Sequence, residues 1–277
     1  MTIWQATGQG LRRCARLWQA VAAFTLVYSA IGAVATLVLP FKVVEGRVVV
    51  PPPSSGAEAL SLLVLAGGLF LISTILSLRV MGGVLHGLER IERGDPVPWK
   101  EFSLGMGKWF WPLVRWGALF GLLLAGLFLI AVFLLAFLWA FSGRPEGFKA
   151  MVPQVAFLLT TFLTLPFYYS PFILLENGGK ARESFARSFR LALGNLPSTF
   201  LLVVVISTIG AVVYWFDVLA LARGVNALRA ALGIPAFAKG LPVFLFGLVL
   251  LVPEGFLSTF VPAAFYSYYR GKTYKGA

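Results

Sequence analysis

Uncharged, apolar stretches long enough to cross a bilayer recur six times along the chain, and charged residues end each one. Between consecutive ionisable residues lie 25 positions from Arg16 to Lys42, 20 from Glu58 to Arg79 and 28 from Arg115 to Arg144. A further 26 separate Lys149 from Glu176, 26 separate Arg190 from Asp217, and 30, broken only by Glu254, separate Lys239 from Arg270. A hydrocarbon core about 30 Å thick needs roughly 20 residues of helix at 1.5 Å each. Lipid offers the backbone no hydrogen-bond partner, so a span must be a helix or a strand of a closed barrel. Barrel strands alternate with period two, and continuous runs such as 122–138 do not. The pattern therefore predicts an all-α, polytopic helical bundle, a single membrane domain over 1–277. Its six spans fall at about 18–41, 59–79, 112–140, 151–175, 197–216 and 241–269.

Charge orients the bundle. If the spans alternate, the N-terminus, the connections at 79–115 and 176–196 and the C-terminal tail share one side and carry sixteen Lys and Arg, against seven on the other. Basic loops are retained in the cytoplasm, so both termini are expected inside. This also accounts for a net charge of +12, which in a soluble chain would point to nucleic acid. Composition excludes that alternative: 59% hydrophobic and 12% charged residues, with a mean hydropathy of +0.86, cannot cover a water-facing surface. Aromatic residues mark the expected interfaces, with Trp109, Trp111 and Trp116 at the inner end of span three and Trp139 at its outer end. Tyr214 and Trp215 mark the outer end of span five, and Tyr266, Tyr268 and Tyr269 the inner end of span six. Arg12 and Arg13 precede an apolar stretch too long for the core of a signal peptide, so the first span is expected to be retained.

The connections are short, and no soluble domain fits between any two spans. Outside, Pro51-Pro52-Pro53-Ser54-Ser55-Gly56 reads as a stiff extended turn. Inside, 180–193 is amphipathic: Phe185, Phe189, Ala192, Leu193 and Leu196 fall on one face, with Glu183, Arg187 and Arg190 away from it. The expectation is a helix in the inner interface whose arginines face anionic headgroups. The 81–112 connection has a rough counterpart, an amphipathic run from Met81 to Arg93 and then Phe102 to Pro112, spaced much as Phe185 to Pro197. On that comparison spans two and three duplicate spans four and five. Gly117 and Gly121 form a GxxxG that would permit close helix contact.

Chemistry is sparse. Glu254 lies midway between Lys239 and Arg270, at the expected bilayer midplane, where an ionised carboxylate costs about 2.5–3.5 kcal/mol or more. Pro253 removes a backbone donor and Gly255 loosens the chain, so Pro-Glu-Gly reads as a broken helix. No other ionisable residue shares that depth, so its partners should be uncharged. Candidates are Tyr28 and Ser29 in span one, Ser73 and Thr74 in span two, Thr160, Thr161 and Thr164 in span four, and Ser207 and Thr208 in span five. Span three offers none and should be peripheral. The competing role for Glu254 is structural, a neutral acid hydrogen-bonded to a hydroxyl or a freed carbonyl. Pro166 and Pro171 around Tyr168-Tyr169-Ser170 predict a kink in span four.

Enzyme motifs are lacking. His86 is the only histidine and Cys14 the only cysteine, which excludes an HExxH site, a Cys-based metal cluster and a disulfide within the chain. No metal or cofactor is expected.

Pro171-Phe172-Ile173-Leu174-Leu175-Glu176, followed by Glu183, Ser184, Ser188, Phe189, Leu191 and Gly194-Asn195, resembles a group of prokaryotic six-span membrane proteins. The group includes the membrane domain ahead of some glycerophosphodiester phosphodiesterases and its stand-alone relatives. Glu183 and Ser188 keep the spacing of its Glu-Ala-x-x-x-Ser helix, but Ser184 stands in place of Ala. The resemblance implies the fold class and a bacterial or archaeal cell membrane. It carries no catalytic residue, because the phosphodiesterase domain is separate. The expected function is a non-enzymatic transport component or a membrane-embedded accessory to a protein partner or a second copy of itself. The alternative is a proton-coupled small-molecule carrier using Glu254; a lipid-modifying enzyme comes third.

Overall fold

A computed structural model describes residues 2–39, 42–44, 47–49, 53–141, 164–212, 244, 248 and 251–273. In chain order the elements are α1 (Ile3–Arg16), α2 (Trp18–Val38), the strands β1 (Lys42–Val44) and β2 (Arg47–Val49), α3 (Gly56–Glu92), α4 (Trp99–Lys108) and α5 (Phe110–Phe141). A short 3-10 turn at Leu165–Phe167 then leads to α6 (Ser170–Glu176), α7 (Ala181–Gly194), α8 (Leu196–Val212) and α9 (Val252–Thr273). The described chain is thus helical, as expected, apart from a three-residue antiparallel pair in which Lys42 faces Val49. A pair this short leaves the all-α class intact.

Three described helices are long and apolar enough to cross a membrane: α2 through Trp18–Ala35, α3, and α5 through Phe110–Phe137. A fourth follows if α7 and α8 are one bent span; α7 meets α8 at 99°. Most of expected span four, the end of span five and most of the first half of span six lie outside the described residues, with Thr160, Thr161, Tyr214 and Trp215 among them.

The residues group into two compact units: 1–110 with 205–268, and 111–204 with 269–277. In the first unit, α3 overruns its expected end at 79 by more than three turns. Its 37 residues give a length of about 55 Å, far beyond one hydrocarbon core. The amphipathic run from Met81 is therefore not a separate segment but the continuation of the same helix. Residues 56–79 are exposed or half-buried, while Val80, Val84, Leu85, Leu88 and Ile91 are buried. After Gly94, whose φ of +84° ends the helix cheaply, α4 folds back on that buried part.

Glycines allow this approach. A Cβ on Gly83 would sit 2.7 Å from the Phe102 ring, one on Gly82 2.9 Å from the Gly105 carbonyl, and one on Gly87 would strike Leu17. Gly83 and Gly87 make up a GxxxG spacing that functions as a contact surface; at Gly121, in the motif singled out above, an added Cβ meets nothing within 4 Å. A polar lattice spans the same hairpin: Arg90 Nη1 donates to Glu101 Oε2 at 2.9 Å, His86 Nε2 lies 3.5 Å from that oxygen, and Arg93 pairs with Glu89.

An N-terminal helix, α1, was not foreseen. Thr2 and Gln5 form a reciprocal capping box, and Ala6, Gly10 and Cys14, spaced by four, are its buried stripe. A Cβ on Gly10 would lie 2.8 Å from the Cα of Ala264, so α1 lies directly on α9.

In the second unit the kink expected around Pro166 and Pro171 is present as the 3-10 turn and the restart at Ser170. Ser188 Oγ donates to the Pro166 carbonyl at 2.6 Å, satisfying a backbone group at the bend. Tyr169 OH and Thr199 Oγ1 are 2.9 Å apart, and both are buried.

Substituting Gly105 by Ala puts a Cβ 2.5 Å from the Cβ of His86 and 3.0 Å from the Gly82 carbonyl, neither of which can swing aside. Overpacking should cost about 1–3 kcal/mol. Gly68→Ala, with open space around it, should be neutral or mildly stabilising. Thermal midpoints in detergent check the contrast, and equal midpoints would show that this seam is not packed as described.

Candidate functional site

Glu254 stands in the first turn of α9, just after a turn at Leu251, and Pro253, Glu254 and Gly255 are themselves helical. The carboxylate lies at the helix N-terminus, where the helix dipole favours negative charge. It is half-buried.

Two of the expected surrounding spans are found beside it. Tyr28 of α2 has its hydroxyl 2.9 Å from Ser258 Oγ, one turn beyond Glu254, is also hydrogen-bonded to Ser77 of α3, and interacts electrostatically with Glu254. The site is therefore a carboxylate with a phenol and two serines, drawn from α2, α3 and α9. Thr25 closes it: its hydroxyl donates to Val21 O at 2.8 Å and reaches Leu251 O at 3.4 Å. A Cβ on Gly255 would strike that hydroxyl and come within 2.6 Å of the Val21 carbonyl, so only glycine lets α2 and α9 meet here. Ser258, Ser77 and Thr25 were missed by sequence reasoning, although Ser258 at i+4 from Glu254 was a readable signal.

Among the other expected partners, Ser29 and Thr74 turn their hydroxyls to their own helices. Ser29 is buried and donates to the Thr25 carbonyl at 2.7 Å, and Thr74 donates to Phe70 O at 2.8 Å on its own helix. Thr164 belongs to the second unit, Ser207 and Thr208 are exposed, and Thr160 and Thr161 fall outside the described residues. Helix α5 is mostly exposed, with Leu122, Leu129 and Phe133 all outward. Among the described residues no group of three His, Cys, Asp or Glu is placed to hold a metal ion.

The surface helix also needs correcting. On α7 the buried stripe is Ser184, Ser188 and Ala192, whereas Phe189 and Leu193 are exposed. Phe185 is half-buried and stacks with Trp116 at 6.2 Å between ring centroids. Arg187 does not simply face outward: Nη1 donates to Asn177 Oδ1 at 2.7 Å and Nη2 lies 3.8 Å from Glu176. Arg190 is exposed. The tyrosines expected at headgroup level, Tyr266, Tyr268 and Tyr269, are buried instead, and the hydroxyls of two of them meet carboxylates. Tyr266 donates to Glu92, and Tyr269 to Glu176 at 2.5 Å. Trp109 is buried too, and Trp116 donates to Ser170 at 2.8 Å, while Trp111 remains outward as an interfacial tryptophan should.

Comparison with protein-family models, with curated proteins and with solved structures gives no match, so the functional reading rests on these residues.

Where α1 lies on α9, Cys14 is buried with its thiol 3.8 Å from the Phe256 carbonyl, and burial pushes its pKa up from 9.0 to about 12. Raised in the folded state, this group stabilises the fold fully below pH 9 and loses that contribution as pH climbs toward 12. At pH 8 the folded protein should resist maleimide, and detergent-denatured protein should label completely. Equal labelling rates, read by mass, would show that α1 does not dock as described.

Proposed function

We propose that the protein is an integral membrane protein of six spans with both termini in the cytoplasm, acting as a non-enzymatic transport component or as a membrane-embedded accessory to a partner. One observation carries this reading: none of the best apolar window of α3 is buried within the chain, so lipid or another protein must cover it. The 99° turn from α7 into α8 suits a helix lying across the end of a span. The excess of basic residues at the ends assigned to the cytoplasm supports the orientation, and the resemblance at 171–195 favours a prokaryotic cell membrane.

A second reading, a proton-coupled small-molecule carrier, is favoured by the grouping of Glu254 with Tyr28, Ser258 and Ser77. A carboxylate beside a phenol and hydroxyls in an apolar layer has the chemistry of a proton relay. The same grouping also suits the competing structural role, a neutral acid held by hydroxyls.

Two measurements separate these readings. A tag fused after Ala277 should be inaccessible from outside intact cells; an accessible tag sinks the topology. In proteoliposomes carrying an inward proton gradient, the accessory reading expects no gradient-driven uptake across a panel of labelled small anions, cations and sugars, and identical traces for Glu254→Gln. Uptake present in the wild type and lost in Glu254→Gln would hand the function to the carrier reading.

A further inference from the structure

Beside the α1–α9 contact, a cavity of about 290 Å³ is lined by Gln9, Arg12, Arg13, Arg16, Ile91 and Glu92. Three guanidinium groups thus face one carboxylate. That carboxylate is already engaged, because Glu92 accepts the Tyr266 hydroxyl, and Arg13 lies over the Tyr266 ring at 5.1 Å from its centroid. Arg12 and Arg16 are exposed, one helical turn apart, and no ion pair forms on either among the described residues. Like charges four residues apart repel, so an anion between them would relieve a strain that the chain itself does not.

We infer that this cavity binds the phosphate group of an anionic lipid headgroup, with Arg12 and Arg16 as its principal ligands and Gln9 as a neutral donor. Guanidinium groups suit phosphate because each offers paired N–H donors that match two of its oxygens. The volume fits a headgroup of glycerol-phosphate size and not a whole lipid, whose chains would remain outside. What favours a lipid over a free phosphate is the rest of α1. Trp4, at 76% exposed, and Leu11 lie outward on the same helix, and Trp18 follows just beyond it. Aromatic and apolar groups beside arginines are the composition of a helix in the headgroup layer. The assignment rests on the membrane reading above, and it makes α1, rather than α7 with its internally paired Arg187, the surface that reads the inner leaflet.

The test uses the full-length chain in neutral detergent, with dioctanoyl phosphatidic acid, dioctanoyl phosphatidylcholine and inorganic phosphate as probes, and bound ligand counted by native mass spectrometry. Phosphatidic acid should saturate at one per chain and phosphatidylcholine should not. Arg12→Gln with Arg16→Gln should weaken phosphatidic acid by about tenfold or more, the loss of one or two charge-assisted hydrogen bonds. Arg182→Gln with Arg190→Gln, exposed on α7, should leave it unchanged. The Arg12→Lys, Arg16→Lys pair should keep part of the affinity, which separates loss of ligands from loss of fold. Binding without saturation, equal loss in both Gln pairs, or no preference for phosphatidic acid over phosphatidylcholine in the wild type would overturn the site. Inorganic phosphate binding as tightly as the lipid would overturn the lipid assignment in favour of the free anion. Monodispersity in plain buffer would sink the membrane reading separately, while leaving the inorganic phosphate measurement interpretable.

Discussion

Hydroxyls folded back onto their own helix are the interaction on which these apolar helices depend. Thr25, Ser29, Thr74, Thr259 and Ser267 each donate to the carbonyl four residues earlier, at 2.7–3.0 Å. In a layer with no water, a polar side chain left without a partner costs several kcal/mol, so the local bond lets a helix carry serine and threonine without needing a neighbour. The consequence reaches function. A hydroxyl satisfied by its own helix is not by itself a sign of a binding site, and this is why Ser29 and Thr74, read from the sequence as partners of Glu254, are not. Tyr28 cannot fold back in this way. Its hydroxyl sits too far from its own backbone and must find Ser258 and Ser77, which ties three helices together.

Close approach through small residues is the second constraint, and it shows what the sequence could and could not say. Long charge-free intervals made α2, α3 and α5 legible to within a few residues at most ends, because hydropathy acts over the whole length of a helix. Contact surfaces were not legible. Gly117-Gly121 and Gly83-Gly87 are the same motif on paper, yet an added Cβ at Gly121 meets open space while one at Gly83 meets the Phe102 ring. A spacing says which positions are small; only the fold says which of them has a neighbour. The same limit hid α1. Its capping box and its Ala6-Gly10-Cys14 stripe were readable, but a stripe of such small residues has little hydrophobicity and draws attention only once Ala264 is seen against it.

Buried tyrosines expose a further ambiguity. Composition places Tyr266, Tyr268 and Tyr269 beside Arg270 and Lys272, which reads as an interface belt. In the fold, the phenols of Tyr266 and Tyr269 are instead donors to Glu92 and Glu176. An amphipathic side chain suits either setting, since both offer an apolar body and a polar tip. The deciding fact is a carboxylate 174 residues away in the chain in one case and 93 in the other, beyond the reach of any local pattern.

Those carboxylates also explain how a chain with so few acids distributes them. Eleven acidic residues face 23 basic ones, and Glu92, Glu101 and Glu176 stand where two elements are fastened. Glu101 holds Arg90 across the α3–α4 hairpin, Glu92 takes the α9 hydroxyl of Tyr266, and Glu176 takes Tyr269, Arg270 and Arg187. Partly exposed pairs of this kind contribute modestly to stability, so their value lies in registering helices that apolar packing alone would leave free to slide. Acids used in this way leave Arg12 and Arg16 of α1 without an ion pair among the described residues. The counter-charge at that end of α1 must then come from what surrounds the chain.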